Sequence, residues 1–154
     1  MAARKLLSDK GMNLRMKRSR LDDISWQEFE ELIREILERN DFKTDFRVVF
    51  KDEHGRAEMD VIGEKFGILI GIDAKRYNRG WYRKSALKRQ AEKHCERCSR
   101  FARLTGKRII PVIVSLIDDE IILHKDCLIV PFKALNDFLV NIEYYLEEMG
   151  ITGI

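Results

Sequence analysis

Asp73 and Lys75 stand two residues apart in the stretch Gly67 to Lys75 (GILIGIDAK), which is otherwise apolar. Read as a strand, the stretch turns Ile68, Ile70, Ile72 and Ala74 to one face, and Leu69, Gly71, Asp73 and Lys75 to the other. Two opposite charges on an interior strand cost several kcal/mol of desolvation unless each is well paired, so the pattern points beyond packing. Asp60 lies on the preceding candidate strand, Glu58 to Gly63. A register that sets Asp60 opposite Gly71 or Asp73 brings both carboxylates to one face, roughly 5 to 8 Å apart at the backbone. A register shifted by one residue separates them. The missing side chain at Gly71 would leave room for an ion. Two converging carboxylates, the Ala74 carbonyl and a nearby Lys suit metal-assisted hydrolysis of a phosphodiester. Oxygen ligands hold Mg²⁺, which takes phosphate oxygens as further ligands, activates water and stabilises developing charge. Lys75 would orient that water or stabilise the anion. The plain alternative is a buried Asp73–Lys75 ion pair, since structural pairs mimic such sites.

The elements around these residues follow from periodicity. Ser25 with Glu28 three residues on forms a capping box, and Ile24 with Phe29 a hydrophobic staple. They open a helix that runs to about Asn40 and buries Phe29, Leu32, Ile33, Ile36 and Leu37. Glu30 shares the flank of Ile33 and Leu37, at the margin of the buried stripe, whereas Glu31 and Glu35 turn to solvent. Phe46 to Phe50 reads as a short strand, followed by a polar turn at Lys51 to Arg56. Glu58–Gly63 and Gly67–Lys75 form an antiparallel hairpin joined at Glu64 to Phe66. A long helix covers roughly Lys84 to Leu104, with Leu87, Ala91, Cys95, Cys98 and Ala102 inward and Gly106 as its stop. Arg108 to Ser115 reads as a buried strand, with shorter ones at Ile121–His124 and Cys127–Val130. A last helix runs from Phe132 to about Met149 and carries Leu135, Phe138, Leu139, Ile142 and Leu146 inward. The order α-β-β-β-α-β-β-α implies an α/β fold, a mixed sheet with helices on its faces.

The 154 residues make about one domain, read as residues 21–154 behind a basic arm at 1–20 that is possible disorder or a grip on flanking DNA. Hydrophobic residues at 45% argue against disorder for the whole, while 36% charged residues exceed the usual quarter. The net charge of +3 hides opposing blocks. Residues 73–108 hold thirteen Lys and Arg against three acids, whereas 21–72 hold fourteen acids against seven cations. Mixed ion-pair networks would intersperse the signs; a cationic block instead calls for a partner of dense negative charge, nucleic acid first. Within it Arg76, Tyr77, Arg79, Trp81, Tyr82, Arg83 and Lys84 interleave cations with aromatics, as phosphate contact and base stacking require. Lys88, Arg89, Lys93, Arg97, Arg100 and Arg103 continue the charge along the long helix, about half of them expected to be plain solvated surface. No base-reading motif is present, so recognition of backbone or shape is expected. His94-Cys95-x-x-Cys98, with Cys127 or His124, has the elements of a zinc site. Structural zinc usually shows two paired knuckles, and both Cys lie on the apolar stripe as small hydrophobes, so structural zinc is not expected. Three Cys without a framework, no apolar run near the ~20 residues of a membrane span and no signal-like start indicate a reducing, cytoplasmic setting with no membrane partner.

The succession Glu30, Asp60, Asp73-Ala74-Lys75 and Gln90 resembles the PD-(D/E)xK nuclease superfamily, in its Mrr-like restriction endonuclease and archaeal Holliday-junction resolvase branches. The resemblance spans residues 29–104, including Phe29-Glu30-x-Leu32-Ile33-x-x-Ile36-Leu37 and the GIDAKR strand. Met59 stands where the motif name has Pro, and Asp73 replaces the commoner Glu. The resemblance implies a restriction-endonuclease-like fold in which Asp60, Asp73 and the Ala74 carbonyl hold Mg²⁺ or Mn²⁺. It also implies that Lys75 assists the attacking water, that Glu30 reaches the metal site, and that Gln90 is the helix Gln of the Mrr-like branch. The reading is therefore a metal-dependent endonuclease of DNA, restriction-like or junction-resolving, with RNA left open and a homodimer expected because cutting both strands needs two sites. The alternatives are a catalytically silent nucleic-acid-binding module of the same fold, and a protein-interaction domain with a basic face.

Overall fold

Helix α1 (Trp26–Arg39) begins where the Ser25 hydroxyl accepts the Glu28 backbone N–H at 3.1 Å, and buries Phe29, Ile33, Ile36 and Leu37. In this computed structural model, which describes residues 24–76, 83–116 and 120–151, six strands follow. They are β1 (Lys43–Asp52), β2 (Gly55–Lys65), β3 (Ile68–Lys75), β4 (Ile110–Ser115), β5 (Ile122–His124) and β6 (Cys127–Pro131). Helix α2 (Arg83–Thr105) lies between β3 and β4; a 3₁₀ turn (Phe132–Ala134), α3 (Leu135–Val140) and α4 (Ile142–Glu148) follow β6. The arm 1–20 and Tyr77, Arg79, Trp81 and Tyr82 lie outside the described residues.

The sheet order is β1-β2-β3-β4-β6-β5. β1, β2 and β3 form an antiparallel meander, β3–β4 and β4–β6 are parallel, and β5–β6 is antiparallel. This is the expected mixed α/β sheet flanked by helices. Its parity is as read from the sequence. Ile70, Ile72 and Ala74 pack with Val112, Val114, Leu128 and Val130 against α1, Leu135, Phe138 and Leu139. The other face is covered by α2, whose Cys98 and Phe101 meet Ile62, Leu69 and Ile109, and whose Leu87 and Ala91 meet Ile113, Cys127 and Ile129.

Three expectations are corrected. The first hairpin is longer than Phe46–Phe50 and Glu58–Gly63, because β1 and β2 pair from Lys43↔Glu64 to Asp52↔Gly55 around a tight turn at Glu53 and His54. The order α-β-β-β-α-β-β-α is one strand short, because all three stretches read after the long helix form strands, Lys125, at φ 57, turning β5 back onto β6 with His124↔Cys127 paired. The last helix is not continuous. Asn141 interrupts it with its side-chain amide donating to the Asp137 carbonyl at 3.0 Å and carboxylate at 3.2 Å, the local competition with helix geometry that Asn offers.

Gly71 also differs from expectation. A Cβ there would meet Ile109 Cδ1 at 2.8 Å and Cys98 Sγ at 3.3 Å. The absent side chain admits β4 and α2 to the β3 backbone; it does not leave room for an ion. Gly71→Ala is expected to destabilise the fold by about 1–3 kcal/mol through overpacking. A urea midpoint equal to that of the wild type would contradict this packing.

Candidate active site

The last β2–β3 pair is Val61↔Ile72, so the same register continued one step sets Asp60 across from Asp73. Asp60 Oδ2 accepts the Ala74 backbone N–H at 2.9 Å, and the Asp73 carboxylate adjoins it. Burial first, then the adjoining Asp73 carboxylate, pushes the Asp60 carboxyl up to about 6, against the opposing pull of the Ala74 N–H and the Lys75 charge. Asp73 is 4% exposed. Its Oδ2 has Lys75 Nζ at 3.2 Å and an Arg97 nitrogen at 3.8 Å, ion-pair distances, yet it receives no hydrogen bond.

A kink in β1 and β2 shapes this corner. In a regular strand residues 46 and 48 share a face, but Phe46 packs on the α1 side while Val48 and Phe50 pack on the α2 side. Their partners Val61 and Met59 divide the same way. The break lies at Arg47, at φ 49, where the β1–β2 pairing skips the couple Arg47 and Asp60. A left-handed backbone at a long side chain costs of order 1–3 kcal/mol. Regular pairing would set a guanidinium directly opposite Asp60. Instead Arg47 meets Glu30 at 3.3 Å, and Asp60 keeps its charge unmatched from that side.

Glu30 is therefore engaged by side chains other than the carboxylate pair. It is 3% exposed, accepts the Trp26 indole N–H and holds Arg47. Among the described residues no three His, Cys, Asp or Glu side chains stand close enough together to hold a metal, so the structure does not gather Glu30, Asp60 and Asp73 into one set. The link from Glu30 to the site runs through Trp26, whose ring lies 6.0 Å from Lys75 Nζ and 5.7 Å from the Arg76 guanidinium.

From the opposite side α2 contributes a stripe of Gln90, His94 and Arg97, spaced as residues on one helix face. His94 is fully buried, with Nε2 2.7 Å from the Gly71 carbonyl and Nδ1 3.3 Å from an Arg97 nitrogen. A neutral ring protonated on Nε2 donates to the carbonyl and accepts from Arg97, so both contacts are satisfied. Arg97 is thereby steered toward Asp73. Half-buried Gln90 sits one turn earlier on this stripe. Sequence reasoning weighed His94 in a zinc pattern it did not expect to be used and counted Arg97 in a cationic run of which about half was expected to be solvated surface; their spacing from Gln90 was the signal that joins them to the site. Arg47 carries no such signal, because left-handed backbone at Arg is not written in its neighbours. Cys98 Sγ rests 3.7 Å from His94 Nε2, and burial pushes its thiol well up.

The proposed nucleic-acid contacts divide. Arg76 donates to the Ile24 carbonyl at 2.6 Å, so it also ties the strand end to the entry of α1. Lys88 and Arg89 are exposed on α2, and Arg83 and Lys84 open that helix. Arg100 is not available for phosphate. It forms a bidentate pair with Asp52 at 2.8 and 2.6 Å and donates to the Gly55 carbonyl at 2.7 Å, clamping the first hairpin to α2.

Burial pulls His94 down to about 4 from the ordinary 6.5. Between these values the unfolded chain binds more protons at this position, so the His94 contribution to stability is present above pH 6.5 and is lost as pH falls toward 4. Asp60, pushed up, acts oppositely as pH rises from about 4 to 6. In metal-free urea unfolding, the stability difference between wild type and His94→Gln is expected to shrink by roughly 3 kcal/mol from pH 7 to pH 4. A difference constant with pH would contradict a neutral buried His94.

An uncharacterized protein of Archaeoglobus fulgidus is 58% identical over 125 residues, covering 81% of this chain and 97% of that protein. Among solved structures, a protein of unknown function, AF1548, matches with TM-score 0.44 at 15% identity over 80% of this chain. The protein VC1899 from Vibrio cholerae matches with TM-score 0.38 at 14% identity over 77% of it. This chain spans 55% and 32% of those two chains. The restriction endonuclease family represented by the Mrr catalytic domain matches residues 21–101, more than half of the sequence. With the mixed sheet and its helices, this match means that the chain belongs to the Mrr-type restriction endonuclease family, a nuclease family whose members usually need a divalent metal and whose substrate is DNA.

Proposed function

We propose that this protein is a Mg²⁺- or Mn²⁺-dependent endodeoxyribonuclease. Its one domain, residues 21–154, would read DNA backbone or structure more than base sequence and work as a homodimer, with the arm 1–20 gripping flanking DNA. The observation that carries the reading is the buried Asp73 Oδ2, which receives no hydrogen bond, beside the half-buried Asp60 carboxyl. Two like charges forced together, one carboxyl pushed up to about 6 and one oxygen without a hydrogen bond, describe a seat for a cation. The donor set is all oxygen, which suits a hard divalent ion. The Ala74 carbonyl fits as a further donor, because a residue in an extended strand sends N–H and C=O toward the same edge, and the Ala74 N–H already points at Asp60.

When bound, a hard cation supplies positive charge to a phosphoryl oxygen and acidifies a water. The remaining work falls to the chain. Asp60 and Asp73 would hold the ion. Lys75, 3.2 Å from Asp73, lies where its ammonium can orient the attacking water or meet the anionic phosphate. Trp26 backs the Lys75 and Arg76 side chains, and Glu30 holds Trp26 and Arg47 in place. Arg97, balanced between His94 and Asp73, is a second cation for charge that builds on the phosphate. Attack of water oxygen on phosphorus breaks the phosphate ester bond and leaves a hydroxyl on one fragment and a phosphate on the other.

Asp73→Asn and Lys75→Ala are each expected to lower cleavage of plasmid and branched DNA with Mg²⁺ or Mn²⁺ by roughly a hundredfold or more. Salt-sensitive DNA binding should remain. Mn²⁺ should raise the Tm of the wild type, and should not raise that of Asp73→Asn. Equal cutting by Asp73→Asn would end the assignment of this site; binding by the wild type without metal-dependent turnover would establish the silent-module reading instead.

A further inference from the structure

At the end of the sheet away from the carboxylates, β2 and β3 are joined by two residues, Phe66 and Gly67, with Lys65↔Ile68 the closing pair. Both linking residues have positive φ, 51 and 78. Such a loop is the natural place for Asn-Gly, since a left-handed backbone suits Asn and Gly and strains a bulky side chain. Phe66 is nevertheless 86% exposed, so its ring recovers almost nothing of that cost by packing. Neither the turn nor the core accounts for a Phe at this position. Lys65 Nζ lies 5.3 Å from the Phe66 ring and 5.7 Å from the buried Phe42 ring, so a cation is stacked between them.

At the same end of the sheet, where α2 ends and β4 begins, lies an open groove of about 400 Å³ lined by Ser99, Ala102, Arg103, Gly106, Lys107 and Arg108. Arg103, Lys107 and Arg108 are exposed and form no ion pair among the described residues. The C-terminal dipole of α2 accounts for Arg103 in its last turn, but not for two more cations beyond Gly106. Ile70 pairs with Ile110 and Lys65 with Ile68, so the loop before β4 that carries Lys107 and Arg108 and the Phe66 tip lie at the same end of the sheet. Lys65 turns to the α1 face, onto Phe42, and the groove residue Ala102 packs on the α2 face, with the exposed Phe66 at the end of the sheet. The carboxylate of this edge, Glu64, is across from Lys43.

We propose that this tip and groove bind a nucleic-acid strand, with its phosphates along Arg103, Lys107 and Arg108 and an unstacked base on the Phe66 ring. Unpaired cations beside an aromatic face are the elements of sequence-tolerant strand binding. The inference rests on DNA being the ligand and not on the carboxylate pair, from which the tip is separated by most of β3. It assigns this chain a preference for DNA that offers an unpaired base.

Phe66→Asn is the decisive variant, because Asn suits the turn better than Phe and removes the ring without endangering the fold. Fluorescence anisotropy with labelled single-stranded DNA, gapped duplex and intact duplex, in EDTA across a salt series, reads binding separately from cleavage. Phe66→Asn should bind the gapped and single-stranded probes about tenfold more weakly, bind intact duplex as the wild type does, and show an equal or higher Tm. Replacing Arg103, Lys107 and Arg108 together by Gln should reduce the slope of log K against log salt by about 2. Wild-type affinity and slope in both variants would overturn the inference, as would an equal loss on all three probes by Phe66→Asn. Loss of self-association by Phe66→Asn with unchanged DNA binding would overturn it in favour of an interface between copies. Metal-dependent cutting by the same preparations decides the catalytic reading independently.

Discussion

Two carboxylates held together in a buried corner are the interaction on which the rest of this structure depends. Asp60 and Asp73 come from neighbouring strands whose register leaves no freedom to separate them. Burial and mutual repulsion push Asp60 up to about 6, and Asp73 Oδ2 stays without a hydrogen bond. Lys75 and Arg97 stand at ion-pair distance from Asp73, but a fold selected for stability alone would also set a cation against Asp60. The chain has one at hand in Arg47, opposite Asp60 in the ladder, and turns it away through a left-handed backbone to meet Glu30. Strain at one residue thus preserves charge repulsion at another, which is sensible where the compensating charge is to come from outside the chain.

The helices serve this corner from both faces. α1 brings Glu30 and Trp26, which hold Arg47 and back Lys75 and Arg76. α2 approaches β3 so closely that a side chain at position 71 would crowd Cys98 as well as Ile109. That approach lets buried His94 reach the Gly71 carbonyl and steer Arg97 toward Asp73. The positive block in the middle of the sequence is accordingly divided in use. Arg97 faces the carboxylates, Arg100 clamps the first hairpin through Asp52, Lys88 and Arg89 remain on the surface, and Arg103 lines a groove at the far end.

Much of the fold was legible because period and capping are local. The Ser25 cap, the parity of Ile68 to Lys75, the long helix ended by Gly106 and the buried run before Ser115 all follow from neighbouring residues. The geometric relation of Asp60 to Asp73 was legible too, since a short hairpin connection limits the register. The roles of Glu30 and Arg47 were not, because they turn on a break in strand parity at one backbone angle. Arg97 and Arg100 differ by three places on one helix, yet one reaches Asp73 and the other Asp52; only the packing of α2 across the sheet decides between them. Gly71 misled for a related reason. An absent side chain signals close approach, and sequence does not say whether an ion or a neighbouring strand makes it.

The account stands on a cation completing the Asp60–Asp73 pair. The most direct measurement is a crystal of the wild-type chain soaked in Mn²⁺ and examined by anomalous scattering at the manganese edge. The predicted result is a peak about 2.1 Å from oxygens of both Asp60 and Asp73, with the Arg47–Glu30 pair still in place. A crystal in which Mn²⁺ binds elsewhere and Lys75 closes onto Asp73 in a hydrogen-bonded ion pair would contradict it, and would make this corner a structural salt bridge.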